Sequence, residues 1–276
     1  MQKPPNLTDL QALGAHRARA RRAPVTFLHE AIDVEIKERL EEVNKSFTKV
    51  AIVTGHPEYW SNAFPDANVV PDNDTLALGT DTYDLVIHAV ALHWASDPVG
   101  QLVQCRHALR PDGLFVAAFF SGQTLHELRT SLAEAETRVT GGLSPRVAPM
   151  GEIRDLGGLL QRAGFALPVA DVVPFDVSYE SLWHLMKELR AMGESNALNA
   201  RLKTATPRSV FFEAAQIYSK HFSDDAGRVR ATFEFAVLTG WRPDPSQQQP
   251  LRPGSAKTRL SDALSSFEIP LESGDD

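Results

Sequence analysis

Tyr83-Asp84-Leu85-Val86-Ile87-His88-Ala89-Val90 and, further on, Leu109-Arg110-Pro111-Asp112-Gly113-Leu114-Phe115 decide the fold. Asp84 to Val90 is apolar at successive rather than alternate positions, which is the pattern of a strand buried on both faces. Residues 99 to 110 predict a helix. Pro111-Asp112-Gly113 predicts a turn, because Pro presets φ and Gly accepts a positive one. Leu114 to Phe120 is again apolar, and upstream Lys49-Val50-Ala51-Ile52-Val53 is a short buried strand that ends at Thr54-Gly55. Strands of this kind separated by helices predict an α/β fold: a mostly parallel sheet with helices on both faces.

Outward from these strands, Phe27, Leu28, Ile32, Ile36, Leu40 and Val43 recur at helical spacing over residues 26 to 44, with an acidic outer face. Before Glu30 the chain carries Lys3, Arg17, Arg19, Arg21 and Arg22 against the acid Asp9. This is the composition of a mitochondrial transit peptide or of a solvated basic helix, and the helical spacing that follows favours the second. Downstream, helices are expected over Thr124 to Val139, 151 to 163 (ending at Gly164), 179 to 192 and 207 to 222, with strands at Phe165 to Val173 and Ala231 to Leu238. The expected organisation is a helical segment over 1–48, a core domain over 49–242 with a helical insertion at about 179–222, and a flexible tail over 243–276 rich in Pro, Gln and Ser.

A net charge of -7 over 276 residues argues against a partner held by phosphate neutralisation, so nucleic acid is not expected. The lone Cys105 excludes an intrachain disulfide or a multi-thiolate metal site. No apolar run reaches the roughly 20 residues of a membrane span. The nine histidines lack paired ligand spacing, so no metal is expected. The expected location is the bacterial cytoplasm, or the mitochondrial matrix if the basic N-terminus is a transit peptide.

The order Tyr83-Asp84-Leu85-Val86-Ile87, Ala91-Leu92-His93-Trp94 and Leu109 to Phe115 resembles the fourth and fifth strands of class I S-adenosylmethionine-dependent methyltransferases. Gly122 to Arg129, Ala135-Glu136, Gly141-Gly142-Leu143-Ser144-Pro145, Asp155-Leu156-Gly157, Arg162-Ala163-Gly164-Phe165 and Met192-Gly193-Glu194-Ser195-Asn196 resemble a narrower branch. That branch holds the respiratory complex I assembly factor thought to hydroxylate an arginine, together with alphaproteobacterial methyltransferase-like chains. The likeness runs from about Asp72 to Trp241 and implies a Rossmann-like class I methyltransferase fold, S-adenosylmethionine as cofactor and a complex I subunit as partner.

The glycine-rich loop departs from that pattern. Such loops let backbone approach the ligand and present free N–H groups at a helix start. Here Val53 runs into Thr54-Gly55-His56-Pro57, with one glycine and no carboxylate ahead of it. Asp72 lies about where a ribose-binding acid would stand, but its spacing to Leu76 and Tyr83-Asp84 matches the third-strand acid near the adenine. On that register the second strand–helix unit is missing, and Asp74 is a surface acid or reaches the ribose in its place.

The resemblance makes Thr54, Gly55, His56, Asp72, Leu92, His93 and Trp94 the cofactor-binding candidates and His93 the catalytic one. His93-Trp94 follows a strand's carboxyl end, where open α/β sheets bind ligands; equally, Trp94 fills a gap beside the sheet and His93 caps a loop. Thr124, Arg129, Ser144, Arg146 and Asn196 are the substrate or partner candidates. For Thr124 a capping box with Glu127 is the simpler reading, and for Arg129, Glu136, Arg154 and Asp155 a salt-bridge network. Met192 to Asn196 is a lid, or a helix end whose Glu194 and Asn196 face water. Three functions follow: a methyltransferase with a degenerate loop, a complex I assembly factor that hydroxylates arginine, or a non-catalytic protein-binding scaffold.

Overall fold

The computed structural model describes residues 6–248; the expected tail lies outside them from residue 249 on. The chain divides into one unit that ends at Asp244 and a second, Pro245–Asp276. In the first, α1 (Leu10–Ala20) and α2 (Phe27–Glu42) precede β1 (Val50–Thr54), α3 (Pro57–Ala63), β2 (Asn68–Val70) and β3 (Tyr83–Ala89). A 3-10 turn, Leu92–Trp94, leads to α4 (Pro98–Ala108) and β4 (Leu109–Ser121). Then come α5 (His126–Thr140), α6 (Ile153–Ala163), β5 (Ala166–Tyr179), α7 (Leu182–Met192), α8 (Arg208–Phe222) and β6 (Val229–Trp241).

The six strands form one sheet in the order β2-β1-β3-β4-β6-β5. β2, β1, β3 and β4 are parallel, and β6 enters antiparallel between β4 and β5. This mixed, mostly parallel sheet is the Rossmann-like methyltransferase architecture. A single strand stands outside β1, and the seven-residue α3 is the helix that leads to it, which leaves the sheet one strand–helix unit short at that edge.

Strand periodicity divides the core. Ile52, Ile87 and Val116 point to the face covered by α2, α5, α7 and α8, where they meet Ile32, Ile36, Leu185 and Tyr218. Their neighbours Ala51, Val53, Val86, Phe115 and Ala117 point to the other face, against Leu102 and Cys105 of α4 and Leu160 of α6. Burial on both faces explains why these strands are apolar throughout.

Two local expectations are corrected. In the turn before Leu114 the positive φ (59°) falls on Asp112 rather than Gly113. Gly113 is required for space instead: a Cβ there would stand 2.8 Å from the Arg110 carbonyl oxygen. The basic segment is not solvated throughout, because Arg17 of α1 is buried. By contrast Gly164 ends α6 as expected, at φ 80°. Gly164→Ala is expected to cost about 1–2 kcal/mol, the strain of a side chain in the left-handed region, measured as a lower urea midpoint.

Candidate functional site

Two cavities open at the carboxyl end of the parallel strands. The smaller, about 200 Å³, is lined by Thr54, Gly55, Pro57, Asp72 and Asn73 from the sheet side and by Leu10, Leu13, Gly14, Arg17 and Arg21 from α1. Arg17 Nη1 and Nη2 donate to the two Asp72 carboxylate oxygens at 2.7 and 3.0 Å. The guanidinium also lies on Gly55, where a Cβ would overlap it. Thr54 Oγ1 accepts from the His56 backbone N–H at 3.1 Å and fixes the start of α3. His56 itself turns inward, with its ring 4.4 Å from that of His29.

The larger cavity, about 510 Å³, is mostly apolar and lies among Trp94, Phe120, Leu128, Met186, Phe211 and Phe233. Strained backbone shapes two of its edges. Val90 takes φ 50° directly after β3 and lets the chain turn into Leu92–Trp94, while Leu125 takes φ 54° before α5. A non-glycine residue held there costs about 1–3 kcal/mol and persists only where its surroundings impose it. At Val90 the Ala118 carbonyl does so, accepting its N–H at 2.8 Å.

The turn sets His93 edge-on to Phe120, with ring centroids 5.0 Å apart. Glu194, just beyond the Gly193 that closes α7 at φ 83°, meets it there. Glu194 Oε2 lies 3.1 Å from His93 Nε2 and accepts the Trp94 indole N–H at 2.8 Å. Both side chains are nearly sealed, His93 at 3% exposure and Glu194 at 8%. Burial alone would raise the Glu194 carboxyl, but the charge and hydrogen bond of His93, with Arg17 and His56 behind them, bring it down to about 2. A desolvated carboxylate therefore stands at the wall of an aromatic pocket. Glu194 Oε1, His93 Nδ1, His56 Nε2 and Arg17 Nε are buried without a hydrogen-bond partner among the described residues.

Beside the pocket, Glu136 is a strut. It accepts from the Ser144 backbone N–H and hydroxyl and from Arg146 Nε and Nη2, while Arg146 Nη1 reaches Thr206 Oγ1 at 2.7 Å. Arg146 and the Ser144 bonds hold the Glu136 carboxyl below its usual range. Asn196 Nδ2 donates to the Pro145 carbonyl at 2.9 Å and ties the Glu194 loop to this strut.

The structure thus separates the expected cofactor set. Thr54, Gly55 and Asp72 share the small cleft, His93 and Trp94 line the large pocket, and Leu92 packs in the core beneath α4. Of the substrate candidates, Thr124, Arg146 and Asn196 line the large pocket, and Ser144 supports it through Glu136. Arg129 donates to the Thr124 carbonyl. The expected capping box is corrected. Thr124 Oγ1 accepts the Glu234 N–H, and Glu127 accepts from Thr232 N and Oγ1, so both residues fasten α5 to β6. The expected salt-bridge network is corrected too, since Glu136 pairs with Arg146. Glu194 and Arg17 escaped the reading of the sequence. A usable signal existed for Arg17, which shares a helical face with Leu10, Leu13 and Ala20.

The cleft at Gly55 is where the resemblance places S-adenosylmethionine. The cleft falls below the roughly 300–1,000 Å³ of ordinary ligand sites, its carboxylate is taken by Arg17, and its glycine is covered. Among the described residues no group of three or more His, Cys, Asp or Glu is placed to hold a metal ion, and no helix is long and apolar enough to cross a membrane.

No family model matches the chain. Among curated proteins it is 39% identical over 198 residues to the mitochondrial arginine-hydroxylase NDUFAF5 of Rattus norvegicus, a match that covers 72% of this chain and 57% of that one. The human NDUFAF5 is 39% identical over 192 residues, or 70% of this chain and 55% of that one. A malonyl-[acyl-carrier protein] O-methyltransferase of Methylovorus is 30% identical over 201 residues, or 73% and 62%. The chain therefore spans under two thirds of the length of these relatives. The solved YcgJ protein of Bacillus subtilis has a TM-score of 0.48 at 9% identity, over 78% of this chain and 99% of that one. With its sheet order and its sequence matches, the chain is a homologue of NDUFAF5 and of bacterial methyltransferases, built on the class I methyltransferase fold.

Proposed function

We propose that the chain is an assembly factor for respiratory complex I, and that its large pocket receives an arginine side chain of a complex I subunit. The observation that carries this reading is the buried Glu194 carboxylate at the wall of a cavity rich in aromatic rings. A guanidinium on an apolar stem matches such a site twice, through the carboxylate and through cation–π contact with the rings. Lys187 and Arg190 of α7 also line the pocket, but both are exposed and their charges are screened by water, unlike that of Glu194. The relatives named arginine-hydroxylase agree with this substrate class. The chain acts in the compartment where complex I is assembled, the bacterial cytoplasm or the mitochondrial matrix.

The residues can bind and orient. His93 and Trp94 hold Glu194 in place, the Glu136–Arg146 strut fixes the facing loop, and the apolar walls exclude water from the arginine stem. Methyl transfer is the second reading, favoured by the 30% identity to the malonyl-[acyl-carrier protein] O-methyltransferase.

Loss of the chain from its host is expected to abolish assembled complex I on native gels. The wild type restores it, and Met186→Arg, which sets a like charge in the pocket, does not. Full assembly without the chain, or with Met186→Arg, rules the proposal out.

A further inference from the structure

Gly55 follows β1 and Gly193 ends α7, yet both face the same side chain. A Cβ on Gly55 would overlap the Arg17 guanidinium, and one on Gly193 would stand 3.3 Å from Arg17 Cγ and 3.4 Å from its Cα. Arg17 is thus threaded between two glycines, with its head paired to Asp72 and both side chains about nine-tenths buried. The helix that carries it is no loose arm. Asp9 caps α1 by accepting the Ala12 N–H at 3.1 Å, and its second oxygen accepts from Arg201 at 2.8 Å. Thr8 Oγ1 donates to the Trp94 carbonyl at 2.7 Å, and the Asp9 N–H donates to the Ala197 carbonyl at 2.8 Å.

A charge is stable in such a place only when it is paired. Among the described residues, the pairing uses the single carboxylate that lines the cleft, and the close approach uses its single glycine from the sheet side. A bound cofactor would need that same carboxylate and that same bare backbone.

We propose that Arg17 is a built-in occupant of the glycine cleft: α1 fills the position of a soluble ligand, and Gly55 is glycine in order to admit the guanidinium. The large pocket is then worked without a ligand in the cleft, and α1 does the organising that a cofactor would do. The inference stands apart from the proposed function, because the cleft can prove open while the partner binds, or filled while it does not.

The test uses the full chain in a cycle of Gly55→Ala and Arg17→Met, read by urea unfolding, with calorimetric titration of S-adenosylmethionine into the wild type. Arg17→Met keeps the apolar stem and removes the guanidinium. The expected result is no binding heat at millimolar cofactor, a lower urea midpoint for Gly55→Ala, and no further lowering when Gly55→Ala is added to Arg17→Met. Micromolar binding by the wild type overturns the proposal, as does an equal Gly55→Ala loss in both backgrounds. Should Arg17→Met not fold, the titration and the single Gly55→Ala variant decide: an unchanged midpoint overturns it.

Discussion

Glu194→Ala is expected to lower the unfolding free energy by about 3–5 kcal/mol, the cost of breaking a buried pair from one side. The truncation strips the Trp94 indole N–H of its acceptor and His93 Nε2 of its partner, at a site where water does not replace them. Glu194→Gln should recover most of that stability, because one carboxylate oxygen meets both rings and the amide oxygen can take its place. It removes the charge, however, so the proposed function predicts that Glu194→Gln folds and fails to restore complex I. Urea unfolding gives the first half of this expectation and native gels the second. A Glu194→Gln chain that rescues assembly like the wild type shows that the carboxylate is only a structural partner of Trp94.

Acid should destabilise the chain well above the ordinary carboxylate range. His29 is buried, and its Nδ1 accepts the Trp60 indole N–H at 3.2 Å, which requires a neutral ring. Burial, with the neighbouring His56 adding to it, lowers His29 from 6.5 to about 3. Burial also lowers His56 and His88. In the window between these folded values and 6.5 the unfolded chain binds protons that the folded chain refuses, so stability is full above pH 6.5 and falls as pH falls. For His29 the slope approaches about 1.4 kcal/mol per pH unit. Glu194 adds a second loss lower down, as pH falls from 4.5 towards 2, because its folded value is depressed. Urea midpoints at pH 7.5 and 5.5 measure the first loss, and His29→Gln, which keeps an acceptor for the indole, should flatten the slope. Equal midpoints at the two pH values would mean that these rings are hydrated.

The strands around Asp84 and Leu114 were legible because burial on two faces leaves an unbroken apolar run, a property of the local sequence alone. Gly164 was legible for the same reason, since a helix end needs its left-handed residue whatever lies around it. The reading failed where a residue's partner lies far along the chain. Glu194 resembles a solvated residue after a helix until His93 and Trp94 close over it from a hundred residues away. Arg17 resembles one member of a basic run until Asp72 meets it. Thr124 and Glu127 have capping-box spacing, but β6 supplies better partners than the local backbone does. Asp112 took the positive φ expected of its glycine neighbour because Gly113 was needed for close packing.

The short bridge between Thr8 and Leu198, flanked by Asp9 N–H to Ala197 O and Asn199 N–H to Leu7 O, sets a schedule for synthesis. The first helix leaves the ribosome long before the segment that receives it. At about 5–20 residues per second, Arg17 waits roughly 10–35 s for Gly193 and Glu194 to emerge. During that interval α1 can meet Gly55 and Asp72 but lacks the Gly193 face and the Ala197–Leu198 backbone that complete its seat.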